Sequence, residues 1–273
     1  MYLSAERLAL ANQTVWETFQ RTSVACQAIP HWETGDPAQS SVRSDSAPPS
    51  APLPIEHVSI PFSVTLAEAI APTPDALLAK VMQATTWLAL IVDIGVIWRI
   101  RAKVVTTQDY YPPVPWPPPD FADVILATLI RARAAVELAG YRAPSCIFVD
   151  TESLIDLSKL VGGYAGTDVL LGPAMINALH RVESLEQNLF VPPPSPPPAG
   201  LTRLILLGRR ERIAQGGAWD ASPGEEPVDL AVSVMPSLEV VGDTQTNTIE
   251  LNVRVSGAVR VKDPYGVVAL VSV

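Results

Sequence analysis

The stretch "TNTIELNVRVSGAVRVKDPYGVVAL", residues 246–270, is the strongest constraint on what this chain can fold into. Ile249, Leu251, Val253, Val255, Val259 and Val261 occupy odd positions, and Glu250, Asn252, Arg254, Ser256, Arg260 and Lys262 occupy even ones. Successive side chains of a strand point to opposite faces, so the pattern predicts a single two-faced strand. The alternation lasts for about fourteen residues, against a usual strand length of about five or six. At roughly 3.3 Å per residue it would run about 45 Å, longer than a compact domain of this size needs.

Elements before it read as follows. Residues 4–28 have helical spacing, with Leu8, Val15, Phe19 and Val24 on one side, until Pro30 stops the pattern. "ETGDPAQSSVRSDSAPPSAPLP" reads as an extended arm, and "HVSIPFSV" as a short strand. "TPDALLAKVMQATTWLALIVDIGVIWRI" predicts a long helix with Thr73 as N-cap and Pro74 at its first position. Its second half is apolar almost all round, so it belongs in a core, although the β-branched run from Ile91 to Ile100 also suits a strand. "YYPPVPWPPPDF" and "VPPPSPPPAG" predict stiff connectors, because proline removes donors and disfavours a helix before it. Between them lie a helix from Asp120 closed by Gly140, the strand "PSCIFVD", a short helix capped by Thr151, and a helix over "GPAMINALHRVESL". "LTRLILLG", "VDLAVSVM" and "SLEVVGD" predict three strands. Helices first, mixed elements next and strands last make an α+β order, not an alternating α/β one.

Composition narrows the class. Apolar residues make up 48% and charged residues only 17%, so much apolar surface needs covering, inside the fold or by partner chains. A net charge of −9 argues against a broad nucleic-acid-binding patch. The densest basic cluster, Arg209, Arg210 and Arg212, reads as a solvated strand end or a subunit contact, with a phosphate site as the lesser alternative. The two cysteines, Cys26 and Cys146, form no disulfide framework, so a reducing cytoplasm is expected. The first residues lack the apolar run of a signal peptide, and "WLALIVDIGVIW", with Asp93 inside it, is too short to span a membrane.

No catalytic constellation emerges. His31, His57 and His180 stand apart from one another and from cysteines, so no metal spacing exists. "GGYAGTDVLLG" has glycines after a helix, where a phosphate cradle would need a strand before it. Asp150 and Glu152 form a carboxylate pair on paper, but "DTES" reads better as a helix start. Trp16, Trp116 and Trp219 read as packing residues. No catalytic, cofactor-binding or metal residues are assigned, and neither a cofactor, a small-molecule ligand nor a membrane partner is expected.

Taken in order, several motifs resemble those of encapsulin (linocin-like) shell proteins and, more distantly, tailed-phage major capsid proteins. Pro61, Phe62, Val64 and Glu68 are similar to the phrase before the spine helix of encapsulins. Leu88, Ala89 and Asp93 resemble the end of that helix, and Pro144 to Leu157 a following strand and short helix. "VMPSLEVVGD" and "ELNVRVSGAVRVKDPYGVVAL" resemble the closing strands. The resemblance implies the tailed-phage capsid fold, with a long spine helix, a compact A-domain and long peripheral strands. It implies a division into an N-terminal helix and arm (1–45), a short extension-loop-like segment (46–60), a peripheral domain (61–144, completed by 229–273) and an A-domain (145–228). It also implies a shell subunit, not an enzyme, whose partner is itself in an icosahedral shell. The encapsulin branch implies a cytoplasmic nanocompartment with cargo protein on the lumen side; the phage branch implies a virion with packaged DNA. Shortness, the lack of a scaffolding or pro-segment and the cargo-docking look of "AERLALANQTVWETF" favour the encapsulin branch, while an α+β enzyme stands as a further alternative. In this fold, neighbouring subunits would cover part of the long strand, and the N-terminal helix would lie outside the core.

Overall fold

A computed structural model describes residues 3–45, 51–106, 114–116, 122–159, 164–185, 202–243 and 247–272. Helix α1 (Ala5–Thr22) starts at Ser4, whose hydroxyl accepts the Arg7 amide, and α2 (Val24–Ala28) follows after a break at Ser23. The arm carries β1 (His31–Glu33), β2 (Ser41–Val42) and β3 (Leu53–Pro54), and leads into β4 (Glu56–Thr65). Helix α3 (Leu66–Ile70) opens on a capping box in which Thr65 and Glu68 satisfy each other's backbone amides.

Helix α4 (Asp75–Thr106) has 32 residues, about 48 Å at 1.5 Å per residue. It begins one residue later than Pro74, whose carbonyl accepts the Leu78 amide, so Thr73 is not the residue next to its first turn. The run from Ile91 to Ile100 is helical, not a strand. Leu77, Val81, Leu88, Ile97 and Ile100 are fully buried, and α1 packs along the helix. On length and composition alone α4 could cross a membrane, which removes the shortness argument; what marks it as a core helix is that its inward side is covered by α1 and a sheet.

Next come β5 (Val114–Trp116), α5 (Ala122–Leu138) and β6 (Ala143–Val149). Asp120 and most of both proline-rich connectors lie outside the described residues. Gly140 closes α5 at φ +93°, a conformation that would strain a residue with a Cβ. Helix α6 (Thr151–Ser158) is capped by Asp150, not by Thr151: its carboxylate accepts the Ser153 amide at 2.7 Å. Helix α7 (Gly166–Leu171) precedes β7 (Ile176–Arg181).

The helix expected over residues 172–185 is therefore mostly strand β7, with a single 3₁₀ turn at Glu183–Leu185. Its burial alternates, with Ile176, Ala178 and His180 inward, and parallel pairing with β6 outweighs the helical propensity of Ala and Leu, which amounts to only about 0.7 kcal/mol per residue or less. Strands β8 (Thr202–Arg209), β9 (Val228–Asp243), β10 (Thr248–Val261) and β11 (Val267–Ser272) complete the chain. The two strands expected before residue 244 are one 16-residue strand.

These elements form two large sheets and a small antiparallel pair, β2-β3. One has the order β1-β9-β10-β4, with β10 antiparallel to both neighbours; the other has the order β5-β11-β8-β6-β7. The first sheet, α1, α2 and α4 share the main core, which includes Val15, Phe19, Leu88, Leu251 and Val253. A second core fills the space between the other sheet and α5–α7, around Leu129, Val136, Ile147 and Leu206. Tyr141 anchors this region, its hydroxyl donating to Asp263 at 2.9 Å. With Val15, Phe19, Cys26 and Ile29 in the main core, the N-terminal helices are core elements, contrary to the expectation that they lie outside it.

Candidate assembly surface

The long strand behaves in two ways along its length. From Ile249 to Val255 the odd residues are buried and Arg254 is exposed, pairing with Glu239 on β9 at 3.0 Å. From Ser256 onward the pattern breaks, because the arm covers the second face: Val42, Ile55, Ala231 and Ala258 make a small core of their own, with Trp32 and Leu53 against it. Arg260, expected on an open polar face, is therefore only 8% exposed. Its guanidinium holds both oxygens of Asp229 at 2.7 Å, reaches Asp45 at 2.5 Å and lies 4.7 Å from the centre of the Trp32 ring.

Strand β4 is the open edge of that sheet. Its outward backbone positions are odd-numbered: Ile55 donates to Ser40, Ser63 accepts from Lys80, and the Thr65 amide donates to Glu68. Pro61 has the same parity, so the missing amide falls where no ladder bond is lost. The ends of the edge are thus guarded by this chain, while the outward amides of His57 and Ser59 have no hydrogen bond within the described residues. Hydrogen bonds from Lys80 and Thr65 hold the partly buried Glu68 carboxyl down at about 2.

Beneath this edge an apolar groove of about 750 Å³ runs between α4 and the sheet. Trp87, Ile91, Ile94 and Trp98 line its α4 side. Their spacing of four, three and four residues places them on one helical stripe, and Trp87 is 56% exposed. The Glu56–Arg99 ion pair bridges strand and helix at the rim. Exposed apolar side chains recur on α5, at Val124, Ile130 and Leu138, and on Ile155 of α6 and Met175 before β7. The sequence signal for the stripe was present in "WLALIVDIGVIW", but a helix apolar all round hides which of its sides is left open.

The residues singled out for chemistry are dispersed. His31 stacks on Trp219 at 3.7 Å, its Nδ1 lying 2.7 Å from the Trp219 carbonyl; Trp16 meets the same ring edge-on. His57 Nδ1 lies 2.7 Å from the Ser256 hydroxyl oxygen. His180 sits on a strand, not a helix face, where burial, with some help from Arg209, lowers it to about 4. Asp150 serves as a helix cap and pairs with Arg203 at 2.9 Å; Glu152 lies on the exposed side of α6. Arg209, the last residue of β8, is buried and donates to the Ala28 carbonyl, so it is not a solvated strand end; Arg210, just beyond the strand, lies over Tyr141 and pairs with Glu225. Both cysteines are buried free thiols, raised by burial. Tyr164 and α7 are the described part of the glycine-rich stretch, and Trp116 falls in β5. Among the described residues no group of three or more His, Cys, Asp or Glu is placed to hold a metal ion.

No protein-family model matches the chain, and no curated protein matches it in sequence. Solved structures do. The subunit of a virus-like particle from Pyrococcus furiosus superposes with a TM-score of 0.67 at 13% identity, over 97% of this chain and 100% of the other. A phage-related protein from Bordetella bronchiseptica gives 0.62 at 11% identity, covering 96% of each chain. A chain of Mycobacterium phage Cain gives 0.54 at 11% identity, over 96% of this chain and 90% of the other. The chain has the fold shared by encapsulins and tailed-phage capsid proteins, as the order of motifs had implied.

Proposed function

We propose that this protein is a structural shell subunit that assembles with copies of itself into an icosahedral compartment of the encapsulin type, enclosing cargo protein. The observation that carries the reading is the superposition on the virus-like particle subunit, which leaves almost none of either chain unmatched. The surface supports it: a guarded but open strand edge, an apolar groove with two exposed tryptophans and an exposed apolar side of α5 are what contacts between subunits would cover. In this reading residues 1–45 are an N-terminal helix and arm, 46–60 a short extension-loop-like segment, 61–144 with 229–273 the peripheral domain, and 145–228 the A-domain. The particle would reside in the cytoplasm and catalyse nothing itself.

The second reading, a phage major capsid protein packaging DNA within a virion, is favoured by the Bordetella phage-related protein and by the phage chain. Negative-stain microscopy of the purified protein, followed by analysis of the particle contents, tests both. Closed shells holding a co-purifying protein support the compartment. Closed shells holding DNA support the capsid. A field without closed particles rejects both.

A further inference from the structure

Asp93 occupies an unusual place. It lies in the most apolar part of α4, is almost fully buried, and its neighbours along the helix are Val92 and Ile94. Three donors reach its carboxylate, all from the break between α1 and α2: the Ser23 hydroxyl at 2.7 Å, the Val24 amide at 2.8 Å and the Ala25 amide at 2.9 Å. The side chain is thus the polar tie between the spine helix and the N-terminal helices. Ser23 is committed as well, since its oxygen accepts the Cys26 amide.

Among the described residues no cation balances this carboxylate. Its surroundings supply burial and the three hydrogen bonds, with no charged side chain from α1 or the sheet. From α2 it faces the Cys26 thiol, which burial, Asp93 and Asp220 all keep neutral. The next ionisable group along α4, Arg99, is engaged by Glu56. A buried carboxylate without a counter-ion favours its neutral form, because three hydrogen bonds to neutral donors only partly replace lost hydration.

We propose that Asp93 makes the docking of the α1–α2 break on α4 responsive to pH, the contact tightening on mild acidification. The sign follows from linkage. Burial raises the Asp93 carboxyl from 3.8 to about 6 in the folded protein. When α2 lifts away, the group regains water and its ordinary value, so opening releases a proton wherever the folded form still holds one. Opening is therefore favoured as pH rises through the window between the two values, and suppressed as pH falls back through it. Protonation need not break the tie, because the Val24 and Ala25 amides can still reach the oxygens of the neutral carboxyl. With these two values, opening at pH 5 is about tenfold rarer than at pH 7.

Hydrogen–deuterium exchange of the assembled protein at pH 5, 6 and 7, corrected for intrinsic amide exchange, reads this opening at Val24, Ala25 and Cys26. The expected result is an about tenfold fall in opening from pH 7 to pH 5 in the wild type, absent in Asp93→Asn, which keeps the shape and cannot ionise. Ser23→Ala, which removes one donor to the charged form, shifts the midpoint to higher pH. An equal pH response in Asp93→Asn, or none in the wild type, overturns the proposal. Should Asp93→Asn fail to fold, Ser23→Ala decides: an unmoved midpoint overturns the proposal and an upward shift supports it.

Discussion

The two halves of β10 have the same alternation in sequence and opposite surroundings in the fold. Around Val253 the strand has one wet face: Arg254 pairs with Glu239 in the open, while Val253 is fully buried in the main core on the α4 side. Around Arg260 both faces are covered, and the same residue type is buried among Asp229, Asp45 and Trp32. A polar residue in an alternating strand therefore marks a face, not exposure. What decides between solvent and burial is whether a distant segment, here the arm of residues 31–55, returns to cover that face.

The contrast can be broken at three points. Val253→Asp puts an unpaired carboxylate into the main core and should cost at least about 4 kcal/mol, enough to abolish cooperative unfolding in a denaturant titration. Arg260→Leu leaves the fully buried Asp229 with Lys262, 3.0 Å away, as its remaining ion-pair partner among the described residues, and removes the ion pair of Asp45. A loss of about 3 kcal/mol in urea unfolding is expected, with faster proteolysis of the arm; an effect as small as that of an open-face arginine would mean that the arm is not docked. Arg254→Ala, on the open face, should cost at most about 1 kcal/mol in the same titration.

Between these lies a comparison of two buried groups, His180 and Asp93, through pH. His180 is buried neutral and lowered to about 4, so the unfolded chain takes up its proton first, below the ordinary value of 6.5. Its contribution is complete above pH 6.5 and is lost as pH falls toward 4, by about 2 kcal/mol between pH 7 and pH 4.5. Over the same interval Asp93 acts with the opposite sign. The stability gap between His180→Leu and the wild type should therefore move by about 2 kcal/mol in the variant's favour on acidification, as read from urea midpoints at the two pH values. A pH-independent gap would place His180 in water.

Much of this was legible in the sequence. The length of β10, the length of α4 and the α+β order follow from patterns set by backbone geometry, period 2 and period 3.6, which hold wherever an element lies. The motif order around Pro61–Glu68, Pro144–Leu157 and residues 234–270 carried the fold. What was not legible depends on partners distant in sequence. Strand β7 is a strand because β6 pairs with it, and Leu179 and the histidine blur its alternation. Arg260 is buried because Trp32 and Asp45 return to it across more than two hundred residues of chain. The stripe at Trp87, Ile91 and Trp98 was hidden because an all-apolar helix does not say which side its own fold leaves uncovered.

That uncovered stripe is the central claim in its most exposed form, since a lone 29.2 kDa chain has no reason to leave it wet. Sedimentation velocity at micromolar concentration in physiological salt tests it directly. The account predicts a single megadalton boundary for the wild type, and smaller species for Trp87→Glu with an unchanged circular-dichroism spectrum. A wild-type protein sedimenting as a folded 29.2 kDa monomer would contradict it.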